Sequence, residues 1–189
     1  GTRRGQLDEA SADMSYWTLG LFCVGVGVAL VALFICCGYM LAVDVTLTTS
    51  RFLAYPPGAV WRGLADHESN PVTGQACRSQ RPFGTGDMPG WVEQMGSSSV
   101  VVKTVESNKP TLLVRHFDDR GTTMTSRMVY QMEAAEEEGV RGTRITMIQD
   151  VSVPRGTWHT PLFRILVRIF GTKGMTAFLA RLNRYLGRT

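Results

Sequence analysis

The side chains that could do chemistry here are few and scattered. The three histidines, His67, His116 and His159, lie far apart, and none stands in an HxxxH or HExxH spacing. The residues therefore offer no metal site, and no cofactor is expected. Ser97-Ser98-Ser99 is flanked by strand-forming sequence, not by the glycine-framed elbow of a hydrolase nucleophile, and reads as a turn. Gly84-Thr85-Gly86 does not run into a helix, as a phosphate-binding loop must. What remains is a set able to face a cavity: Trp91, Glu93, His116, Tyr130 and Trp158. A carboxylate or imidazole desolvated beside an apolar ligand changes its proton affinity and can act as acid or base. In the alternative, the aromatics are plain core and Glu93 and His116 face solvent. No residue is assigned a catalytic role, and the sequence leans away from an enzyme.

These residues must be positioned by a chain with one dominant feature. From Trp17 to Val43 no side chain carries a charge. Roughly 20 apolar residues already cross a ~30 Å hydrocarbon core, so the segment predicts a membrane span with some tilt. Tyr16, Trp17 and Tyr39 stand near its ends, where amphipathic rings favour the headgroup layer. A signal peptide is the rival, but its apolar region is shorter, roughly 7–15 residues. Small residues at Gly25, Ala29, Ala32 and Cys36 line one face of the helix and predict a packing interface for another membrane helix. Cys23, Cys36 and Cys37 fall inside the span, which leaves Cys77 alone beyond it and allows no disulfide there.

The chain divides into a polar tail (1–15), the span (16–43) and one domain (44–189). The tail is too polar to bury a core and is expected to be disordered in isolation. Arg3 and Arg4 before the span balance Arg51 and Arg62 after it. The stretch from Thr2 to Leu7 partly resembles a twin-arginine export signal, which tips the expectation to a cytoplasmic tail and an exported, periplasmic domain. The net charge of +4 is modest, and no Lys/Arg stripe interleaved with aromatics points to nucleic acid.

Beyond the span, VTLTTSRFLA alternates as a strand with no linker before it. Pro56-Pro57 then opens a short helix, GAVWRGLAD. Six further strands are expected in CRSQRPF, WVEQMG, SVVVKTVES, TLLVRHF, SRMVYQMEA and TRITMIQDVSV, separated by turn residues as in an antiparallel sheet. From Pro161 the apolar period becomes helical up to Leu186, with Gly171 and Gly174 expected to kink or split the helix. Arg164, Arg168, Arg181, Arg184 and Arg188 read as a basic face toward solvent, lipid headgroups or an acidic partner.

This order of elements resembles the START-like, helix-grip superfamily that includes SRPBCC and polyketide cyclase/dehydrase-type proteins. The likeness rests on the opening strand with Arg51, the Pro56-Pro57-x-x-Val60-Trp61-x-x-Leu64-x-Asp66 entry helix and the strand start Gly142-Thr143-Arg144-Ile145-Thr146. The ending Leu179-x-x-Leu182-x-x-Tyr185-Leu186 completes it. One departure is the stretch from Glu68 to Thr73, which lacks the tryptophan many relatives carry there. The resemblance implies an α+β fold: a transmembrane helix, then a curled antiparallel sheet gripping a long C-terminal helix, with an apolar cavity between them. Relatives use that cavity for lipids, polyketides or other hydrophobic molecules.

Two functions compete on this reading. The favoured one is a non-catalytic accessory subunit bracing a membrane complex, respiratory or photosynthetic, with membrane lipids and other transmembrane subunits as partners. The alternative is a membrane-anchored binder or modifier of a hydrophobic small molecule (a lipid, quinone or polyketide-like compound). Because Phe163, Phe170, Phe178 and several methionines are available to fill the interior, the cavity is expected to be small or plugged.

Overall fold

The computed structural model describes residues 2–65, 80–83, 89–95, 98–121, 124–154 and 160–188. Its elements run α1 (Thr2–Met40), β1 (Asp44–Leu53), α2 (Pro57–Ala65), β2 (Gln80–Phe83), β3 (Gly90–Met95), β4 (Ser98–Asn108), β5 (Leu112–Asp119), β6 (Thr125–Glu137), β7 (Val140–Ser152) and α3 (Thr160–Leu186). Helix α1 begins at Thr2, so the polar tail expected to be disordered continues the helix of the apolar segment. Its composition permits this, since Gln6, Leu7, Glu9, Ala10 and Ala12 are good helix formers. Within α1, Trp17–Met40 is long and apolar enough to cross a membrane, and that stretch leaves its large side chains uncovered by the rest of the chain.

All seven strands form one antiparallel sheet in the order β1-β7-β6-β5-β4-β3-β2. The long β6–β7 hairpin closes at Glu138-Gly139, both with positive φ, the two-residue turn whose twist matches that of the strands it joins. A register shift between Thr104 and Glu106 in β4 bends the sheet where it must curl.

The concave face carries the alternate residues that the strands turn inward, among them Leu47, Leu53, Leu113, Tyr130, Met132, Ile145 and Met147. Against them pack Met175, Leu179, Leu182 and Leu186 of α3, together with Val60 and Leu64 of α2. Pro57 occupies the first position of α2, where its missing N–H costs nothing. At Gly63 a Cβ would lie only 3.1 Å from Leu186 and 3.2 Å from Leu182, so the glycine sets how closely α2 approaches α3.

Helix α3 is continuous through Gly171 and Gly174, so the glycines do not split it. A Cβ on Gly171 would collide with Leu47 Cδ1, so this glycine lets the helix lie close to β1. Gly174 has nothing within 4 Å of where its Cβ would stand.

The start of α3 also fixes the end of α1. Pro161 sits against Gly38, where any Cβ would collide with it. Arg164 is fully buried; its Nη1 donates to the Leu41 carbonyl at 3.2 Å, and Nε and Nη2 donate to the Val153 carbonyl at 3.2 and 3.0 Å. Arg168 Nη2 donates to the Ala42 carbonyl at 2.9 Å. The last carbonyls of a helix have no partner within it, and cations there also oppose its dipole. Two arginines of α3 thus satisfy the carbonyls by which α1 hands over to β1.

Candidate functional site

Between α3 and the concave face lies a cavity of about 390 Å³. Strand alternation builds its wall. Inward positions two apart supply Trp91 and Glu93 from β3, Arg115 and Phe117 from β5, Met128 and Tyr130 from β6, and Met147 and Gln149 from β7. The helical side is Gly171, Gly174, Met175 and Phe178, and at Gly174, where a Cβ would meet nothing within 4 Å, the glycine leaves open a space that a larger side chain would fill. The expectation of a small or plugged cavity is corrected: its volume falls within the range of roughly 300–1,000 Å³ typical of small-molecule sites. Of the bulky residues expected to fill it, Phe178, Met128 and Met147 stand on its wall, whereas Ile169 and Phe170 are exposed on the outer side of α3.

The wall is mainly apolar but contains a buried polar cluster. Trp91 Nε1 donates to Glu93 Oε1 at 2.7 Å, a pairing made easy by their positions two apart on one strand. The Arg115 guanidinium lies 4.9 Å from the centre of the Trp91 ring and donates through Nη2 to the Leu64 carbonyl at 2.8 Å. Tyr130 stands close enough to Arg115 for each to shift the other's proton affinity. Burial lowers the pKa of Arg115, and the neighbouring Tyr130 and Glu93 oppose that shift. Burial likewise raises the Tyr130 phenol above its usual value, with Arg115 working against it and Glu93 adding to it. The phenol is a neutral hydrogen-bonding group at physiological pH. Arg115 Nε has no hydrogen-bond partner among the described residues, and neither does Thr104 Oγ1, its cross-strand neighbour.

Of the residues singled out from the sequence, Trp91, Glu93 and Tyr130 meet on this wall. Trp158 lies outside the described residues, as do His67, His159 and Cys77. His116 is corrected: it is exposed on the opposite face, in a surface groove with Asp118, Arg127 and Asp150. Period-two alternation is the reason, because Leu113, Arg115 and Phe117 turn inward and His116 must turn out. That same alternation in TLLVRHF is the signal that could have identified Arg115, the one buried cation on the wall. The single basic face expected on α3 is corrected as well. Arg164 is buried and Arg168 half-buried at the junction with α1, while Arg181, Arg184 and Arg188 are exposed.

No protein-family model matches the sequence, and neither does any curated protein. Solved structures do match. The Zhui aromatase/cyclase from Streptomyces sp. R1128 aligns with a TM-score of 0.61 at 10% identity, over 77% of this chain and 94% of that one. A conserved protein from Geobacillus kaustophilus gives 0.60 at 13% identity, over 76% and 96%. Truncated norcoclaurine synthase from Thalictrum flavum gives 0.57 at 11% identity, over 76% and 94%. The chain has the helix-grip fold. At these identities the likeness is one of architecture, and the helix-grip cavity of this chain has to be read from its own residues.

Proposed function

We propose that the protein is a membrane-anchored binder of an apolar small molecule with a hydrogen-bond-accepting or anionic head group. The observation that carries this reading is the cavity of about 390 Å³ whose apolar wall ends in the Trp91–Glu93–Arg115–Tyr130 cluster. A few polar groups converging on an apolar pocket are what fix the orientation of an amphiphilic ligand. Each Å² of ligand surface taken from water contributes roughly 25 cal/mol, so the apolar part supplies most of the affinity. Glu93 already accepts from Trp91, whereas Arg115 retains an unused donor, so the head group that fits best is an acceptor. Lipid, quinone and polyketide-like compounds all meet this description. In this reading α1 spans the bilayer and holds the domain on its exported side.

The test is to purify the full chain in mild detergent, extract it with organic solvent and analyse the extract by mass spectrometry. A compound recovered near one per chain, and lost from Arg115→Met and Gly174→Phe variants that still fold, is the expected result. An extract indistinguishable between wild type and both variants would sink the proposal.

The accessory-subunit reading draws on a different observation. Gly25, Ala29, Ala32 and Cys36 are all exposed along α1, and a Cβ at Gly25 would meet nothing within 4 Å. A second membrane helix could approach closely there. Gly25→Leu and Ala29→Leu should then abolish co-purification of a membrane partner, whereas Leu21→Ala should not. Unchanged co-purification in the two leucine variants would remove that reading and leave the binder.

A further inference from the structure

The outer side of α3 carries an apolar ridge with no partner in this chain. Leu162, Ile169 and Phe170 are 40%, 54% and 52% exposed, and Leu166 is half-buried between them. Their spacing, i, i+4, i+7 and i+8, makes one stripe about 12 Å long, on the side away from the core residues Met175, Leu179 and Leu182. Further along the same side the residues turn polar and basic, with Lys173 Nζ 5.6 Å from the centre of the Phe170 ring and then Arg181 and Arg184.

The position of the ridge follows from the α1–α3 junction. Pro161 touches Gly38, two residues before the apolar stretch ends at Met40. Arg164 and Arg168 then tie the next two turns of α3 to the Leu41 and Ala42 carbonyls, just past that end. The ridge therefore begins at the depth where the hydrocarbon of a bilayer spanned by α1 gives way to headgroups. We infer that Leu162, Leu166, Ile169 and Phe170 are inserted into the boundary layer of that bilayer, with Lys173 reaching to the phosphates. Amphipathic helices lie in this layer with the apolar face buried roughly 5–10 Å, and lysine stems extend along apolar surface to keep the charge in water. Lipid is the occupant because the ridge starts next to the Pro161–Gly38 contact with α1, whose large apolar side chains are exposed, and is bordered by cations, which suit anionic headgroups. The inference rests on α1 spanning the membrane. It brings the helical wall of the cavity, which starts at Gly171, to the bilayer surface, so an apolar ligand can pass between membrane and cavity with little exposure to water.

Single nitroxide labels on the full chain test it, with Cys23, Cys36, Cys37 and Cys77 replaced by serine. Sites at Leu162, Leu166, Ile169 and Phe170 are compared with Leu30 in the span and Arg184 far along α3. The chain is reconstituted in vesicles of phosphatidylcholine and phosphatidylglycerol, and collision rates with oxygen and with a water-soluble nickel chelate are measured. The expected result is a lipid-type ratio, oxygen over nickel, at the four ridge sites and Leu30, and the reverse at Arg184. Water-type ratios along the ridge with a lipid-type Leu30 would overturn the inference and leave the anchor standing. A water-type Leu30 would remove the anchor and the inference together. Ridge labels shielded from both reagents would show protein packed there, which also overturns it.

Discussion

Gly174 gives the sharpest handle on the cavity. A glycine inside a helix costs about 1 kcal/mol relative to alanine, and α3 is continuous through this position. A Cβ at Gly174 would meet nothing within 4 Å, so Gly174→Ala should recover nearly the whole of that figure. For a chain of this length about 1 kcal/mol corresponds to a rise in Tm of roughly 2–4 °C. Gly171→Ala gains the same helix propensity but drives a Cβ into Leu47 Cδ1, the end of a side chain that must swing aside, so its gain should be smaller than that of Gly174→Ala. Stability therefore gives no reason for glycine at position 174, but an open cavity does. Gly174→Phe, with a ring at the rim beside Phe178, should fold normally and lose uptake of an apolar fluorescent dye. Thermal unfolding of the full chain in detergent, paired with dye titration, reads both effects. If Gly174→Ala fails to stabilise, or Gly174→Phe binds dye as the wild type does, the assignment of this glycine to the cavity is wrong.

Two other sites give further expectations. Arg164→Met removes the buried donors to the Leu41 and Val153 carbonyls and should destabilise the chain by about 3 kcal/mol or more, since a hydrogen bond from a charged group contributes ~1.5–3 kcal/mol. A chemical-unfolding midpoint equal to wild type would show that the α1–α3 junction does not depend on it. The Tyr130 phenol is raised above its unfolded value of 10.0, so its contribution is whole below pH ~10 and is lost as pH climbs through the raised folded value, where the unfolded chain has already released its proton. Ultraviolet titration should find Tyr130 among the last tyrosines to ionise in the folded chain, and Tyr130→Phe should flatten the alkaline loss of stability. Ionisation of Tyr130 together with the exposed tyrosines would contradict its burial.

Much of the fold was legible because it depends on local pattern. Alternation and turn residues located the strands, and the change of period at Pro161 located α3. The site was only half legible. Trp91, Glu93 and Tyr130 stood out as residue types, but Arg115 was passed over for its neighbour His116, although alternation within β5 separates their faces. Arg164 was harder to read. Spacing four apart with Arg168 looks like a solvated helix face, and only the tertiary approach of α1 supplies the carbonyls that bury it. The two glycines of α3 looked like a break, because glycine lowers helix propensity wherever it stands. Their use depends on what faces them, Leu47 in one case and open space in the other.

Uptake of an apolar ligand by the cavity between α3 and the sheet can be read from Trp91. This buried residue lines the cavity, and the chain has three other tryptophans, Trp17, Trp61 and Trp158. With those three replaced by phenylalanine, brominated fatty acids and brominated quinone analogues are titrated onto the full chain in detergent. A bromine atom quenches indole fluorescence at contact range. Quenching of Trp91 should saturate near one ligand per chain and be absent in the Gly174→Phe background. Quenching that never saturates, or that survives Gly174→Phe unchanged, would contradict uptake by the cavity.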